Sequence, residues 1–258
     1  MKSLLVSLLI VFYIPSFAGV VILNGLTHMH TVTGGVSISG KIKVQNNGNK
    51  EAKILIYEED LLISCDKPVD YSKTAKHERS LGGWMKTNIE EKVLQPNEVY
   101  DIDYTIAVSK EAVGSYWSML MIEAADPFKE EVNQGVKIDS KIRYAVLIIA
   151  NAGTMENSKI GFEQMKITPQ ENLSQLLNVK LKNTGIFVAP TKLTVEIYDE
   201  KGNKVKTVGT NVKKVYPEKC TDFELVIKDL PKGKYDGVLI ADNGKDLFGA
   251  NINLEINE

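Results

Sequence analysis

The sequence has few of the residues that hydrolases and metalloenzymes use for chemistry. Among its 258 residues are only three histidines, two cysteines and two tryptophans. It contains no GxSxG, HExxH or CxxC motif and no glycine-rich phosphate-binding loop. Because no nucleophile with its base and no acid–base pair can be assembled from the pattern, we expect a protein that is not an enzyme and that carries no cofactor.

The few histidines do not form an evident metal site. His28 and His30 are two residues apart, so on a strand they share one face and could hold a metal together. Zinc sites take three or four protein ligands, and no third candidate lies nearby in the sequence. His77 lies in a lysine-rich stretch. We expect surface histidines and predict no metal.

Two acidic runs occupy matching places in the chain, at residues 58–60 and 199–200. Calcium requires six to eight oxygen ligands, usually from carboxylates interleaved along a loop. These runs lack that spacing. We therefore expect solvated turns at both places, with a calcium site as the alternative.

Strong net charge and long apolar runs are also absent. The formal charge is −2, with both signs interspersed, which argues against nucleic acid and anionic lipid as partners. The apolar run at residues 4–14 is too short to span a bilayer. It follows Lys2 and precedes the small residues Ser16 and Ala18, which predicts a secretory signal peptide over residues 1–18. We expect export to the periplasm or cell surface, with no membrane span in the mature chain.

The sequence contains two copies of one pattern of strands and turns. Residues 40–60 reappear in outline at 178–202, and residues 94–124 find a shorter counterpart at 215–244. Each copy alternates apolar and polar residues between Asn, Gly and Pro turns at spacings near ten residues, which is typical of β-sandwiches. We predict an all-β protein with two tandem immunoglobulin-like domains, at residues 19–153 (domain one) and 154–258 (domain two).

The two cysteines fall in different predicted domains. Cys65 and Cys220 therefore cannot be the pair that joins the two sheets of an antibody-type domain. In an oxidising compartment they could form an inter-domain disulfide, provided that the fold brings their Cα atoms within about 7 Å. We expect two separate thiols, with the disulfide as the alternative.

Trp84 and Trp117 are the candidates for a sugar-stacking surface. On an alternating strand, Trp117 shares a face with Met119 and Met121, whereas Tyr116 lies on the other face. One of these faces must belong to the core. We therefore expect core packing for at least one tryptophan, and carbohydrate binding is a lesser alternative.

The strand that closes domain one is the most informative candidate site. It begins with the cations Lys141 and Arg143, and after Arg143 both of its faces become apolar. Such a strand is either buried on both sides or offers an apolar edge. An edge of this kind could accept a partner strand by β-augmentation, with a cation holding the partner's carboxylate.

Three stretches of domain one, at residues 94–98, 114–117 and 139–144, are similar in order and spacing to the late strands of a known family. The chain resembles the periplasmic pilus (fimbrial) chaperones, which carry two immunoglobulin-like domains behind a signal peptide. The likeness covers residues 36–150, and domain two resembles the family only as a generic immunoglobulin-like fold. It implies a protein that binds a partner polypeptide at the last strand of domain one.

By position, Arg143 matches the cleft lysine of that family, with Lys141 as its neighbour. The family also carries an arginine on its first strand, whereas residues 20–32 contain no arginine or lysine here. The residues that the resemblance and the strand pattern assign to partner binding are Lys141, Arg143, Tyr144, Val146 and Ile148.

Two functions remain open at this point. The first is a chaperone-type module that binds another secreted or envelope protein by strand addition. The second is a structural or adhesive envelope protein whose sandwiches serve as assembly units, which the missing first-strand cation favours.

Overall fold

The structure is a computed structural model that describes residues 19–126, 129–133, 136–155, 158–170 and 174–256. The predicted signal peptide, residues 1–18, lies outside the described residues. Every regular element within these ranges is a β-strand, which confirms the predicted all-β class. No helix in the described part of the chain is long and apolar enough to cross a bilayer.

Domain one is a sandwich of two main sheets with a separate hairpin. Its twelve strands are β1 (Val20–Ile22), β2 (Thr27–Val32), β3 (Ser37–Asn46), β4 (Ala52–Leu62), β5 (Asp70–Ser72), β6 (Met85–Thr87), β7 (Glu91–Leu94), β8 (Val99–Ala107), β9 (Gly114–Ala124), β10 (Lys129–Asn133), β11 (Val136–Ser140) and β12 (Arg143–Ala152). One sheet has the order β1-β3-β8-β6, and the other has the order β2-β12-β9-β4-β5, with β7 also on β4. The hairpin β10-β11 is a two-stranded sheet of its own.

The alternation of apolar and polar residues explains which face of each strand is buried. In β8, Ile102, Tyr104 and Ile106 are buried, whereas Asp101 and Asp103 on the opposite face are partly exposed and meet lysines of β3. This is the period of two that a half-buried antiparallel strand requires. The pattern read from the sequence therefore predicts the core face of β8 correctly.

Domain two is a second sandwich with eight strands. They are β13 (Ile160–Pro169), β14 (Gln175–Asn183), β15 (Ala189–Tyr198), β16 (Lys204–Gly209), β17 (Lys213–Val215), β18 (Cys220–Ile227), β19 (Gly233–Asp242) and β20 (Leu247–Ile256). One sheet has the order β13-β14-β18, and the other has the order β16-β15-β19-β20, with β17 also on β15. The predicted boundary between the domains falls between β12 and β13.

The repeated pattern corresponds to the same corner in each domain. Strand β3 turns through residues 47–51 into β4, and β14 turns through residues 184–188 into β15. In both cases the two strands belong to opposite sheets, so the turn carries the chain across the sandwich. The sequence repeat is thus a repeat of a sheet-to-sheet crossover.

The joint between the domains contains a disulfide. Cys65 and Cys220 are bonded, with their Cα atoms 4.7 Å apart. The expectation of two separate thiols is therefore wrong. It failed because the two residues are 155 positions apart, and only the packing of the domains brings them together.

An apolar cluster completes the joint. Its buried members include Trp117, Met119 and Met121 of β9 and Val188 and Tyr216 of domain two. The ring centroids of Trp117 and Tyr216 are 4.7 Å apart. The opposite face of β9, with Leu120 and Ile122, packs in the core of domain one. Strand β9 is therefore buried on both faces, where the sequence required only one face to be core.

Candidate partner-binding site

Strand β12 has one edge that is only partly covered. Along its whole length it pairs with β9, and on its other edge the parallel strand β2 pairs with residues 147–152. No described strand pairs with residues 143–146 on that second edge. An unpaired edge presents backbone N–H and C=O groups that can pair with another chain. We call residues 143–146 the open edge.

The direction of the backbone groups at the open edge follows from the neighbouring hydrogen bond. The N–H of Leu147 donates to the carbonyl of Leu26, across the edge that β2 covers. Because these groups point to alternate sides along a strand, those of Arg143 and Ala145 point to the same edge as Leu147. At the open edge, the backbone N–H and C=O groups of Arg143 and Ala145 are therefore directed towards the position that a partner strand would occupy.

The five predicted partner-binding residues divide between two faces of the strand. Lys141 and Arg143 are exposed, with 46% and 43% of their side chains accessible. Val146 and Ile148 are fully buried in the core of domain one. Tyr144 also points inward, and its hydroxyl donates to the carbonyl of Val20 at 2.8 Å.

This division limits what a partner could contact. The side chains of Val146 and Ile148 are reachable only if the sandwich opens, so for these residues the apolar pattern reflects the core and not an exposed surface. The backbone of Ile148 is already paired with β2 and β9. A partner-binding role for the strand stays a prediction, now centred on Lys141, Arg143 and the open edge.

Arg143 lies beside a buried carboxylate. Its Nη1 atom is 3.5 Å from Oε1 of Glu59 and 3.5 Å from the hydroxyl oxygen of Tyr57. The side chain of Glu59 is only 5% exposed, and its Oε2 atom has no hydrogen-bond partner. The bond to Tyr57 and the charge of Glu59 both raise the pKa of Arg143. The guanidinium therefore contacts Glu59 and Tyr57 through Nη1, while the side chain remains partly exposed to solvent.

Glu123 extends this network along the sheet. Tyr57 donates from its hydroxyl to Oε2 of Glu123 at 2.6 Å, and Lys141 Nζ lies 3.9 Å from Oε1 of Glu123. Burial and then the bond to Glu123 raise the pKa of Tyr57. The cations Arg143 and Lys141 therefore alternate with the carboxylates of Glu59 and Glu123 at the start of β12.

Sequence reasoning missed Glu59 because it read residues 58–60 as a solvated turn. Instead, these residues continue β4, where Glu59 and Asp60 are buried. Asp60 accepts hydrogen bonds from the hydroxyls of Ser80 and Ser118 at 2.7 Å and 2.8 Å, which explains how its charge is tolerated inside. The matching run at residues 199–200 does follow the end of β15 in a turn, as expected.

The histidines of β2 do not contribute to the Arg143 network. His28 Nδ1 and His30 Nε2 lie 3.1 Å and 2.7 Å from the hydroxyl oxygen of Tyr104 in β8. They are half-buried and not the surface residues that we expected. Burial raises the pKa of Tyr104 to about 12, and burial together with His28 lowers the pKa of His30. The pair ties β2 to the opposite sheet.

Within the described ranges, no three His, Cys, Asp or Glu side chains are grouped so that they could hold a metal ion.

The two tryptophans provide little exposed ring surface on which a sugar could stack. Trp117 is 1% exposed in the joint, and Trp84 packs against Tyr116 with ring centroids 4.7 Å apart.

Comparisons with known proteins identify the fold. No protein-family model matches the sequence, and no curated protein matches it. The class 5 fimbriae chaperone CfaA matches in structure with a TM-score of 0.50 and 15% identity, over 91% of this chain and 98% of that chain. The chain has the fold of a fimbrial chaperone.

Two further structures align over a similar share of the chain, with TM-scores below 0.5. A chain from the chaperone–tip adhesin complex of CFA/I fimbriae covers 92% of this chain and 98% of its own length, with 14% identity and a TM-score of 0.49. The E. coli chaperone DraB covers 91% and 98%, with 11% identity and a TM-score of 0.45. At such identities the likeness concerns the fold alone.

Proposed function

We propose that this protein is a non-enzymatic, chaperone-type binding protein that captures another secreted polypeptide by strand addition at the open edge of β12. The observation that carries the proposal is that no strand in the described part of the chain pairs with the second edge of β12 at residues 143–146, next to the exposed cation of Arg143. The fold shared with CfaA supports the chaperone class.

The backbone geometry favours one extended segment as the ligand. A partner strand could pair with Arg143 and Ala145 and would then meet β2, which begins at Thr27 and already occupies the rest of the edge. In the other direction, the chain before β12 forms the hairpin β10-β11, which is paired with neither sheet of domain one. Strand addition would supply affinity through main-chain hydrogen bonds, and the neighbouring side chains would supply selectivity.

The charge at the site favours a partner carboxylate. A guanidinium has five N–H donors in a fixed plane, and Glu59 and Tyr57 engage only Nη1 of Arg143. The donors that remain can bind a carboxylate from a partner, and charge-assisted bonds of this kind are stronger than neutral ones. Arg143 would therefore serve as the anchor, with Lys141 as a second cation nearby.

The alternative is a structural or adhesive envelope protein. The disulfide across the joint favours it, because covalently linked sandwiches suit a rigid assembly unit. Residues 20–32 also contain no arginine or lysine that could join Arg143. In this case the open edge would not be used for capture.

The deciding experiment is a crosslinking pull-down from the native cell envelope, read by mass spectrometry, with three variants. Ala145→Pro removes the N–H group that points to the open edge, and Arg143→Ala removes the anchor. Lys86→Ala removes an exposed cation from the other sheet of domain one and is the matched control. Circular dichroism confirms that each variant folds.

We expect a small secreted protein that is lost with Ala145→Pro, reduced about tenfold or more with Arg143→Ala, and unchanged with Lys86→Ala. If the same proteins are recovered with all three variants, the open edge is not the binding site. Recovery of the protein itself or of large envelope proteins, without regard to the variants, would establish the structural role.

A further inference from the structure

We propose that Cys65–Cys220 is a site of reversible thiol–disulfide exchange, and that its oxidation state decides whether the two domains are held in one arrangement. The inference concerns the joint and not the open edge, so it stands independently of the proposed function.

The disulfide attaches a surface segment of domain one to a sheet of domain two. Cys65 lies in residues 63–69, which we call the strap, between β4 and β5. Cys220 is the first residue of β18 and is 5% exposed. Beside the bond, Lys180 Nζ donates to the carbonyl of Cys65 at 2.7 Å. The strap thus meets β14 and β18 of domain two at a covalent bond and one hydrogen bond.

Apart from the strap, few hydrogen bonds join the domains within the described ranges. The N–H of Ser115 donates to the carbonyl of Ile186 at 2.8 Å, the N–H of Val188 donates to the hydroxyl of Ser115 at 2.7 Å, and Lys214 Nζ donates to the hydroxyl of Thr27 at 3.4 Å. Domain two contributes only Val188 and Tyr216 to the buried members of the apolar cluster. Interfaces of such limited extent normally permit relative motion of domains. The covalent bond is therefore the contact that can decide whether the arrangement is fixed.

The chemistry of opening the bond is ordinary disulfide exchange with a dithiol reagent. Cys65 is half-buried and more accessible than Cys220, so an external thiolate attacks Sγ of Cys65 and expels Cys220 as a thiolate. The second thiol of the reagent then displaces Cys65. The protein gains two electrons and two protons as two thiols, and the reagent becomes a disulfide. Closing runs the same steps in reverse, with a disulfide-bearing oxidant.

Two amides that bridge the domains report directly on the joint. The N–H groups of Ser115 and Val188 exchange with solvent only when the domains separate locally, if the bonds described above protect them. The N–H groups of Ile122 and Leu181 lie in the central strands β9 and β14, inside each domain, and are the matched controls. Amide hydrogen exchange therefore separates loosening of the joint from unfolding of a domain.

The experiment compares the oxidised protein, the protein reduced with dithiothreitol, and the double variant Cys65→Ser/Cys220→Ser. Alkylation counts thiols in each sample, and small-angle scattering records the radius of gyration. We expect two thiols to appear on reduction, with exchange at Ser115 and Val188 faster by about tenfold or more and no change at Ile122 and Leu181. The double variant should match the reduced protein and should not respond to dithiothreitol.

Three results would overturn the proposal. Two free thiols in the purified protein before reduction would show that the bond does not form. Unchanged exchange at Ser115 and Val188 after complete reduction, with the same radius of gyration, would show that the other contacts hold the joint. Equal acceleration at Ile122 and Leu181 would show that the bond stabilises whole domains and does not control the joint.

Discussion

Asn46 and Asn183 fix equivalent corners of the two sandwiches through corresponding hydrogen bonds. Nδ2 of Asn46 donates to the carbonyl of Lys50 at 2.7 Å, and Nδ2 of Asn183 donates to the carbonyl of Phe187 at 2.7 Å. Each Oδ1 accepts the N–H of the glycine two residues later, at 3.0 Å and 2.9 Å. Both side chains are buried, so each Asn fixes the turn that carries the chain from one sheet to the other.

In each domain, a second segment of the chain forms a backbone hydrogen bond to the same Asn. The carbonyl of Asn46 accepts the N–H of Asn97, and the carbonyl of Asn183 accepts the N–H of Glu218, both at 2.8 Å. Asn97 and Glu218 each follow a proline and have positive φ values of 63° and 58°. The sequence repeat therefore preserves hydrogen-bonded positions as well as a strand pattern.

We expect Asn46→Ala and Asn183→Ala each to lower the free energy of unfolding by about 2–4 kcal/mol, because each leaves more than one buried backbone group without a partner. Asn49→Ala, at an exposed position in the same turn as Asn46, is the control and should change stability by less than about 0.5 kcal/mol. Urea unfolding followed by circular dichroism measures the differences. Equal effects at positions 46 and 49 would contradict this account of the corner.

Arg143→Ala should destabilise domain one, because it leaves the buried carboxylate of Glu59 without its cation. We expect a loss of about 1–3 kcal/mol in the free energy of unfolding. The double variant Arg143→Ala/Glu59→Gln should recover much of this loss, since it also removes the unpaired charge. Lys141→Ala, at a neighbouring exposed cation, should cost less than about 0.5 kcal/mol.

Urea unfolding of the unaltered protein, Arg143→Ala, Glu59→Gln and the double variant gives the coupling energy between Arg143 and Glu59. A coupling close to zero would mean that the pair separates freely in solution. It would also mean that the whole guanidinium is available to a partner.

Gly40→Ala should destabilise domain one strongly. A Cβ atom at position 40 would overlap the ring of Tyr104, a residue that is only 1% exposed. We expect a loss of about 2–3 kcal/mol or failure to fold. Gly161→Ala, where an added Cβ has no atom within 4 Å, is the control and should be near neutral. Thermal unfolding of both variants compares them, and equal melting temperatures would refute the packing of Tyr104 over Gly40.

Stability should fall on mild acidification. Burial lowers the pKa of both His30 and His77 below the ordinary value of 6.5, so the unfolded chain binds more protons than the folded one just below that pH. Stability therefore rises with pH across this window, and it is lost as the pH falls from 6.5 towards the folded-state pKa values. We expect a lower urea midpoint at about pH 5.5 than at about pH 7.5.

His30→Gln is the variant that separates this effect from the titration of carboxylates. It removes one titrating group and keeps an amide near the hydroxyl of Tyr104. The difference between the two urea midpoints should therefore be smaller than in the unaltered protein. An unchanged difference would show that His30 does not contribute.

Much of the architecture could be predicted because it depends on local patterns. Alternation in β8 identified Ile102, Tyr104 and Ile106 as one face, and the Asn–Gly turns located the corners of both sandwiches. The strand β12 was recognised as apolar on both faces, and one of the two interpretations, burial on both sides, holds, because Val146 and Ile148 are buried on one face and Leu147 and Ile149 on the other. These features follow from the spacing of apolar residues along a strand and from the residue types that turns require. Both signals come from residues that are close together in the sequence.

Tertiary structure alone decided the features that join distant parts of the chain. Cys65 meets Cys220 only because domain two packs against the strap, and Glu59 is buried only because β4 continues past the acidic run into the sheet. His28 and His30 meet Tyr104 across the sandwich, and the open edge ends where β2 begins to cover β12. Each of these depends on which strand lies next to which, and alternation along a single strand carries no information about its neighbours. The sequence by itself therefore determined two β-sandwiches and their turns, whereas the packing of strands and domains decided the joint and the edge open to a partner.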